Sequence, residues 1–162
     1  MHALTPADIR SSWLNTTLSE RGNIALPDLD DLDWEKLDFL GWRDRKYPQL
    51  GYVIAVVDGA PAGLLLRQAE SKPRARAQCV WCADVTLPND VALFSTKRAG
   101  DAGRRGDTVG TLVCSEFECS VNARRRPPSA YLGFDVDAAR ERRVEALRSN
   151  VENFVRGIRD GL

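Results

Sequence analysis

Histidine is almost absent from this chain of 162 residues, with a single copy, His2, at the very start. A Ser–His or Cys–His nucleophile system therefore cannot be assembled inside the fold. Long apolar runs are absent as well. The longest, Tyr52 to Val57 and Gly63 to Leu66, are far too short to span a bilayer. The opening Met1-His2-Ala3-Leu4-Thr5-Pro6 lacks the basic and apolar regions of a signal peptide, so a cytoplasmic location is expected. No internal repeat or low-complexity tract is visible. Carboxylate-only chemistry stays open, but an enzyme is the weakest class, and a non-catalytic protein is expected.

Net charge is also missing, since 23 basic residues balance 23 acidic ones. The balance hides an asymmetry. Residues 1–70 carry 7 basic and 11 acidic side chains, whereas residues 71–126 carry 10 basic and 6 acidic. The basic stretch contains every cysteine of the chain, and an anionic partner would be drawn there first.

With 43% hydrophobic and 28% charged residues, the composition is that of an ordinary globular domain able to bury a core. A single domain over 1–162 is expected, of the α+β class. Its parts are an N-terminal helix and hairpin portion (1–70), a cysteine-bearing finger (77–126) and a C-terminal helix (135–160). Thr5-Pro6-Ala7-Asp8 predicts a helix start, with Thr5 as cap and Pro6 at the first helical position. That helix is expected to reach about Leu18, to bury Ile9 and Trp13 on one face, and to be broken by Ser19 to Asn23. Leu26 to Trp34 alternates acidic residues with leucines and predicts short helical turns. Trp34, Leu37, Phe39, Leu40 and Trp42 supply a core layer beneath a sheet, the alternative being an exposed partner-binding patch.

Leu50 to Val57 and Gly63 to Ala69 are predicted strands joined by the turn residues Asp58-Gly59-Ala60-Pro61. Ser71 to Ala77 is polar and basic, a linker. Val91 to Thr96 and Thr108 to Val113 are two further strands. Arg98, Gly100, Gly103, Arg104, Arg105 and Gly106 lie between them in what is expected to be a flexible loop open to close backbone approach. Arg124-Arg125-Arg126-Pro127-Pro128 ends the region. Val144, Leu147, Val151, Phe154, Val155 and Ile158 fall on one face of a long amphipathic helix capped by Asp135 or Asp137. That helix docks on a core or, alternatively, on a partner.

The four cysteines carry the strongest chemical signal. Cys79-Val80-Trp81-Cys82 is a C-x2-C pair, Cys114 to Cys119 is a C-x4-C pair, and a predicted hairpin joins them. Such an arrangement brings four thiolates around one tetrahedral zinc ion. Disulfides do not suit a chain without a secretion signal. A redox C-x-x-C would leave the second pair unexplained, and free buried cysteines would give the pattern only by accident. Four protein ligands leave no open position, so the zinc is structural. Glu116 and Glu118 are expected to be solvated or to lie just outside the ligands.

Leu37-Asp38-Phe39-Leu40-Gly41-Trp42-Arg43-Asp44, the Cys79–Cys82 pair, Lys97-Arg98-Ala99-Gly100, Thr108-Val109-Gly110-Thr111 and Cys114 to Cys119-Ser120 occur in that order. Together they resemble the elongation factor G-binding protein family, specifically its C-terminal treble-clef zinc-finger domain. The resemblance runs from about Leu4 to Ile158. It implies a treble clef with Zn2+ on Cys79, Cys82, Cys114 and Cys119, and binding to elongation factor G, the translocase of bacterial translation. In the fusidic-acid resistance branch such binding helps the factor leave a drug-stalled ribosome. Only one short helix precedes the shared segments, so the helical bundle of the resistance proteins is expected to be absent. Lys97, Arg98, Arg104, Arg105, Arg124 and Arg125 are the candidate partner-binding residues. The competing expectation is a zinc-finger RNA-binding protein, in which these residues and Arg126 would lie on phosphates.

Overall fold

A computed structural model describes residues 1–70, 77–83, 90–127 and 131–161. Five antiparallel strands form one sheet in sequence order: β1 (Leu40–Arg43), β2 (Leu50–Val57), β3 (Ala60–Gln68), β4 (Val91–Lys97) and β5 (Thr108–Cys114). Among the described residues five α-helices accompany them: α1 (Pro6–Ser11), α2 (Leu18–Asn23), α3 (Gly100–Arg104), α4 (Cys119–Arg124) and α5 (Val136–Asp160). The α+β expectation holds.

Alternation along β2 and β3 builds two cores, one on each face of the sheet. Val53, Ala55, Leu64 and Leu66 face α5, whose Leu147, Val151, Val155 and Ile158 are buried against them. Burying those four helical side chains contributes on the order of 6–12 kcal/mol before entropy is counted. Tyr52 and Ile54 face the other way, onto Leu4, Ile9, Trp13, Ile24 and Leu40. Asp135 caps α5 by accepting from the Ala138 N–H at 2.9 Å, and Gly161 ends it in the left-handed region at φ 76°.

The first hairpin turns tighter than the sequence implies. Asp58 and Gly59 take φ of 52° and 81°, the paired left-handed conformation of a two-residue hairpin turn, so Ala60 and Pro61 already belong to β3. The N-terminal helix is also corrected. It ends at Ser11 rather than near Leu18, because Trp13 leaves helical geometry to bridge Gly63. Leu14 N–H donates to Gly63 O and Gly63 N–H to Ser12 O, both at 2.9 Å. The approach requires glycine, since a Cβ at Gly63 would lie 2.8–2.9 Å from Ile54, Ser12 and Trp13. Trp13 then meets Trp42 and Tyr52 edge to face, with centroids 6.0 and 5.7 Å away.

Ser19 to Asn23, expected to be a breaker, instead lies inside α2. Thr17 and Glu20 form a capping box there, with the Glu20 N–H donating to Thr17 Oγ1 at 3.2 Å and the Thr17 N–H to Glu20 Oε2 at 2.7 Å. The aromatic segment also holds more regular structure than expected. Trp34–Lys36 is a 3-10 turn, and Leu40–Arg43 forms the edge strand β1. The predicted linker Ser71 to Ala77 falls, except for Ala77, outside the described residues, as does Pro128. Among the described residues, no helix is long and apolar enough to cross a membrane.

Candidate metal centre

The cysteines arrive from three kinds of backbone: a knuckle, a strand end and a helix start. Cys79 and Cys82 sit on a tight knuckle closed by the Ala83 N–H donating to Cys79 O at 2.9 Å, with Ala83 at φ 53°. Val80 N–H donates to Leu112 O at 2.9 Å, tying the knuckle to the free edge of β5. Cys114 is the last residue of β5, and Cys119 is the first of α4. The loop between them turns through Phe117, at φ 58°.

The four sulfurs meet. Cys79 Sγ lies 3.6 Å from Cys119 Sγ, Cys82 Sγ lies 3.7 Å from Cys114 Sγ, and all four are within 4.8 Å of one another. Disulfide sulfurs would be about 2.05 Å apart. A tetrahedron of thiolates bonded to zinc at about 2.3 Å has edges of about 3.8 Å, which the two short separations match closely. All four cysteines are buried, so the cage is closed and has no free ligand position.

Charge explains why such a cage needs a cation. Cys79 and Cys82 are pulled below the ordinary thiol value, foremost by hydrogen bonds from Cys114 and then Cys119. Cys119 is pushed up, by bonds to Cys114, Cys79 and Cys82 and by burial. Without metal the four groups must share protons, whereas one dication lets all four ionise. N–H donors help. The Cys82 N–H reaches Cys79 Sγ at 3.5 Å and the Asn122 side-chain amide reaches Cys114 Sγ at 3.4 Å.

Two aromatics that sequence reasoning passed over fix the cage to the core. Trp81, inside the C-x2-C pair, is buried against Phe39, Phe154 and Phe117 with centroids at 5.4, 5.5 and 6.5 Å. Its carbonyl accepts from the Asn150 amide of α5 at 3.0 Å. Phe117, inside the C-x4-C pair, packs on Phe94 at 5.2 Å. The signal available was an aromatic residue within each ligand pair.

The sequence matches the family described as FBP C-terminal treble-clef zinc-finger over residues 8–158. The chain belongs to this family. Its zinc-binding character follows from the match together with the four gathered cysteines. Among solved structures, the fold is similar to that of the fusidic acid resistance protein FusC, with a TM-score of 0.57 at 18% identity. The alignment covers 75% of this chain and 53% of the FusC chain, so this chain spans about half the length of that relative. No curated protein matches the sequence significantly.

The structure disperses the candidate partner-binding cations of this family member. Lys97, Arg98, Arg104 and Arg105 lie at the tip of the β4–β5 hairpin, whereas Cys114 pairs with Val91 at its base, so tip and cage are about 20 Å apart. The tip is not a flexible loop. It contains α3, and a Cβ at Gly103 would stand 1.8 Å from Arg98 O, so only glycine allows the turn to close. Arg98 donates to Gly157 O at 3.2 Å and the Ala99 N–H to Ile158 O at 3.0 Å, anchoring the tip on the C-terminal end of α5. Lys97, Arg104 and Arg105 remain exposed, with Arg104 paired to Asp101.

Arg124 is held inward, by Asp38 and by Ser120 O at 3.0 Å, while Arg125 and Arg126 are exposed at the end of α4. Near the cage, Glu116 is exposed and Glu118 accepts from the Glu116 N–H at 3.2 Å.

Proposed function

We propose that this protein is a non-catalytic, zinc-ordered docking module that binds elongation factor G and thereby modulates translation at the ribosome. The observation that carries the reading is the closed, buried cage of four thiols beside exposed apolar side chains. A zinc site without an open position performs no chemistry of its own and serves to order a surface.

That surface is the outward face of the β4–β5 hairpin. Val80 is 53% exposed although Cys79, Trp81 and Cys82 around it are buried, and Leu93 is 37% exposed. Leu93 pairs with Leu112, and Leu112 in turn accepts the Val80 N–H, so the three form one patch at the base of the hairpin. Lys97, Arg104 and Arg105 stand at the other end. An apolar centre with basic residues to one side suits a protein partner rich in carboxylates. The family membership and the fold shared with a fusidic acid resistance protein support elongation factor G as that partner.

The test is binding to purified elongation factor G across a range of salt concentrations, by wild type, by V80D and by R104E/R105E. Wild type should bind. V80D should weaken binding at all salt concentrations, and the double reversal should slow association chiefly at low salt. Failure of the wild type to bind even at low salt overturns the proposal. Tight, steeply salt-dependent binding of naked RNA instead would favour the RNA reading.

A further inference from the structure

We propose that Asn122 is the positioning residue of the zinc cage. Its side-chain amide donates an N–H to the Cys114 thiolate and so sets how slowly the metal is released and how inert Cys114 is. The amide nitrogen lies 3.4 Å from Cys114 Sγ, and both residues have no exposed surface. A thiolate only accepts hydrogen bonds, so the NH2 end of the amide is the end that faces it.

The position is built by two helices. Asn122 follows Cys119 by three residues on α4, which puts both side chains on the face turned toward the metal. Its backbone N–H donates to Glu118 O at 3.0 Å, and its carbonyl accepts from Arg143 Nη2 of α5 at 3.0 Å. The backbone of Asn122 is thus fixed by α4 on one side and by the long helix on the other, which sets where its side chain starts.

Zinc with four thiolates carries two net negative charges, here in a pocket walled by Trp81, Val113 and Phe117. Burying charge away from water is costly unless hydrogen bonds replace the solvent. Among the described residues, the Cys82 backbone N–H and the Asn122 amide are the donors that reach sulfur. Of the two, only Asn122 can be changed without moving the backbone. A thiolate that accepts an N–H is a weaker base and a weaker nucleophile. Protons, competing chelators and electrophiles should therefore attack Cys114 more slowly than they would without Asn122.

The experiment follows zinc release from the loaded protein to an excess of a chromogenic chelator, for wild type, N122L and N122D. Leucine keeps the branched outline but removes the donor, and aspartate keeps the shape but places a carboxylate against a thiolate. N122L should release zinc about tenfold faster than wild type, and N122D faster still. Iodoacetamide labelling read by mass spectrometry should show Cys114 becoming the first cysteine modified in N122L. A wild-type release rate with an unchanged labelling order would overturn the proposal. If N122L does not fold, wild-type protein loaded with cadmium-113 decides the question by NMR. Scalar coupling from the metal through sulfur to an Asn122 amide proton supports the proposal, and its absence overturns it.

Discussion

Phe117 lies with its ring directly over Gly51, where an added methyl would stand 2.5 Å from Cζ of the ring, and one at Gly41 would meet Phe117 Cβ at the same distance. The loop carrying the second pair of thiols therefore enters a slot that two glycines leave open in β1 and β2. Zinc finger and N-terminal hairpin share one core at this point, rather than lying side by side.

Gly51→Ala should destabilise the fold by about 1–3 kcal/mol, because the ring must move within a packed core. Gly22→Ala, at a position with nothing within 4 Å, should not destabilise it. Urea unfolding midpoints of the two variants against wild type check the contrast.

Asp38 has a fully buried side chain that accepts from Arg148 Nε at 2.8 Å and Arg124 Nη2 at 3.1 Å, and its backbone N–H donates to Ser120 Oγ at 3.0 Å. It ties the segment before β1 to α4 and α5. Asp38→Asn removes the charge both guanidiniums require. Since Arg148 is more than half exposed, solvent screens part of the loss, and about 1–3 kcal/mol is expected. Denaturant titration of D38N measures it directly.

Metal retention should fall as the pH is lowered. Without metal the four thiols share protons, their mutual hydrogen bonds drawing Cys79 and Cys82 down and, with burial, pushing Cys114 and Cys119 up. Zinc displaces the protons that remain on the cluster, and protons compete increasingly as pH drops. Affinity therefore rises with pH. Calorimetric zinc titrations in buffers of different ionisation enthalpy count the protons, and a count near zero would contradict this assignment.

Cys114→Ser removes a ligand at the junction of β5 and the α4 loop. Three thiolates do not close the tetrahedron, so hydrogen exchange should quicken by at least tenfold across the described part of 91–120 and less across 50–68. Equal protection in both segments would place the metal elsewhere.

What the sequence made legible was whatever depends on local spacing. The Cys79–Cys82 and Cys114–Cys119 pairs, the strands β2 to β5 and the apolar face of α5 each carry their own period or turn chemistry. What stayed hidden depends on distant partners. Trp13 leaves α1 because Gly63, fifty residues on, offers a backbone to pair with. Leu40–Arg43 becomes a strand only because β2 lies beside it, and Gly41 and Trp42 alone do not announce one. Phe117 gave no sign that Gly41 and Gly51 were open to receive it. The capping box at Thr17 and Glu20 was legible and was outweighed by the expectation of a longer first helix. The candidate partner-binding cations are divided in space, because Arg124 answers to Asp38 while Arg104 and Arg105 ride on a hairpin tip.

Native mass spectrometry of the purified, reduced protein, paired with thiol labelling, tests the central claim most directly. The account predicts about one zinc per folded chain and four cysteines that resist labelling until the metal is chelated. A folded, metal-free protein whose four thiols react at once would contradict it.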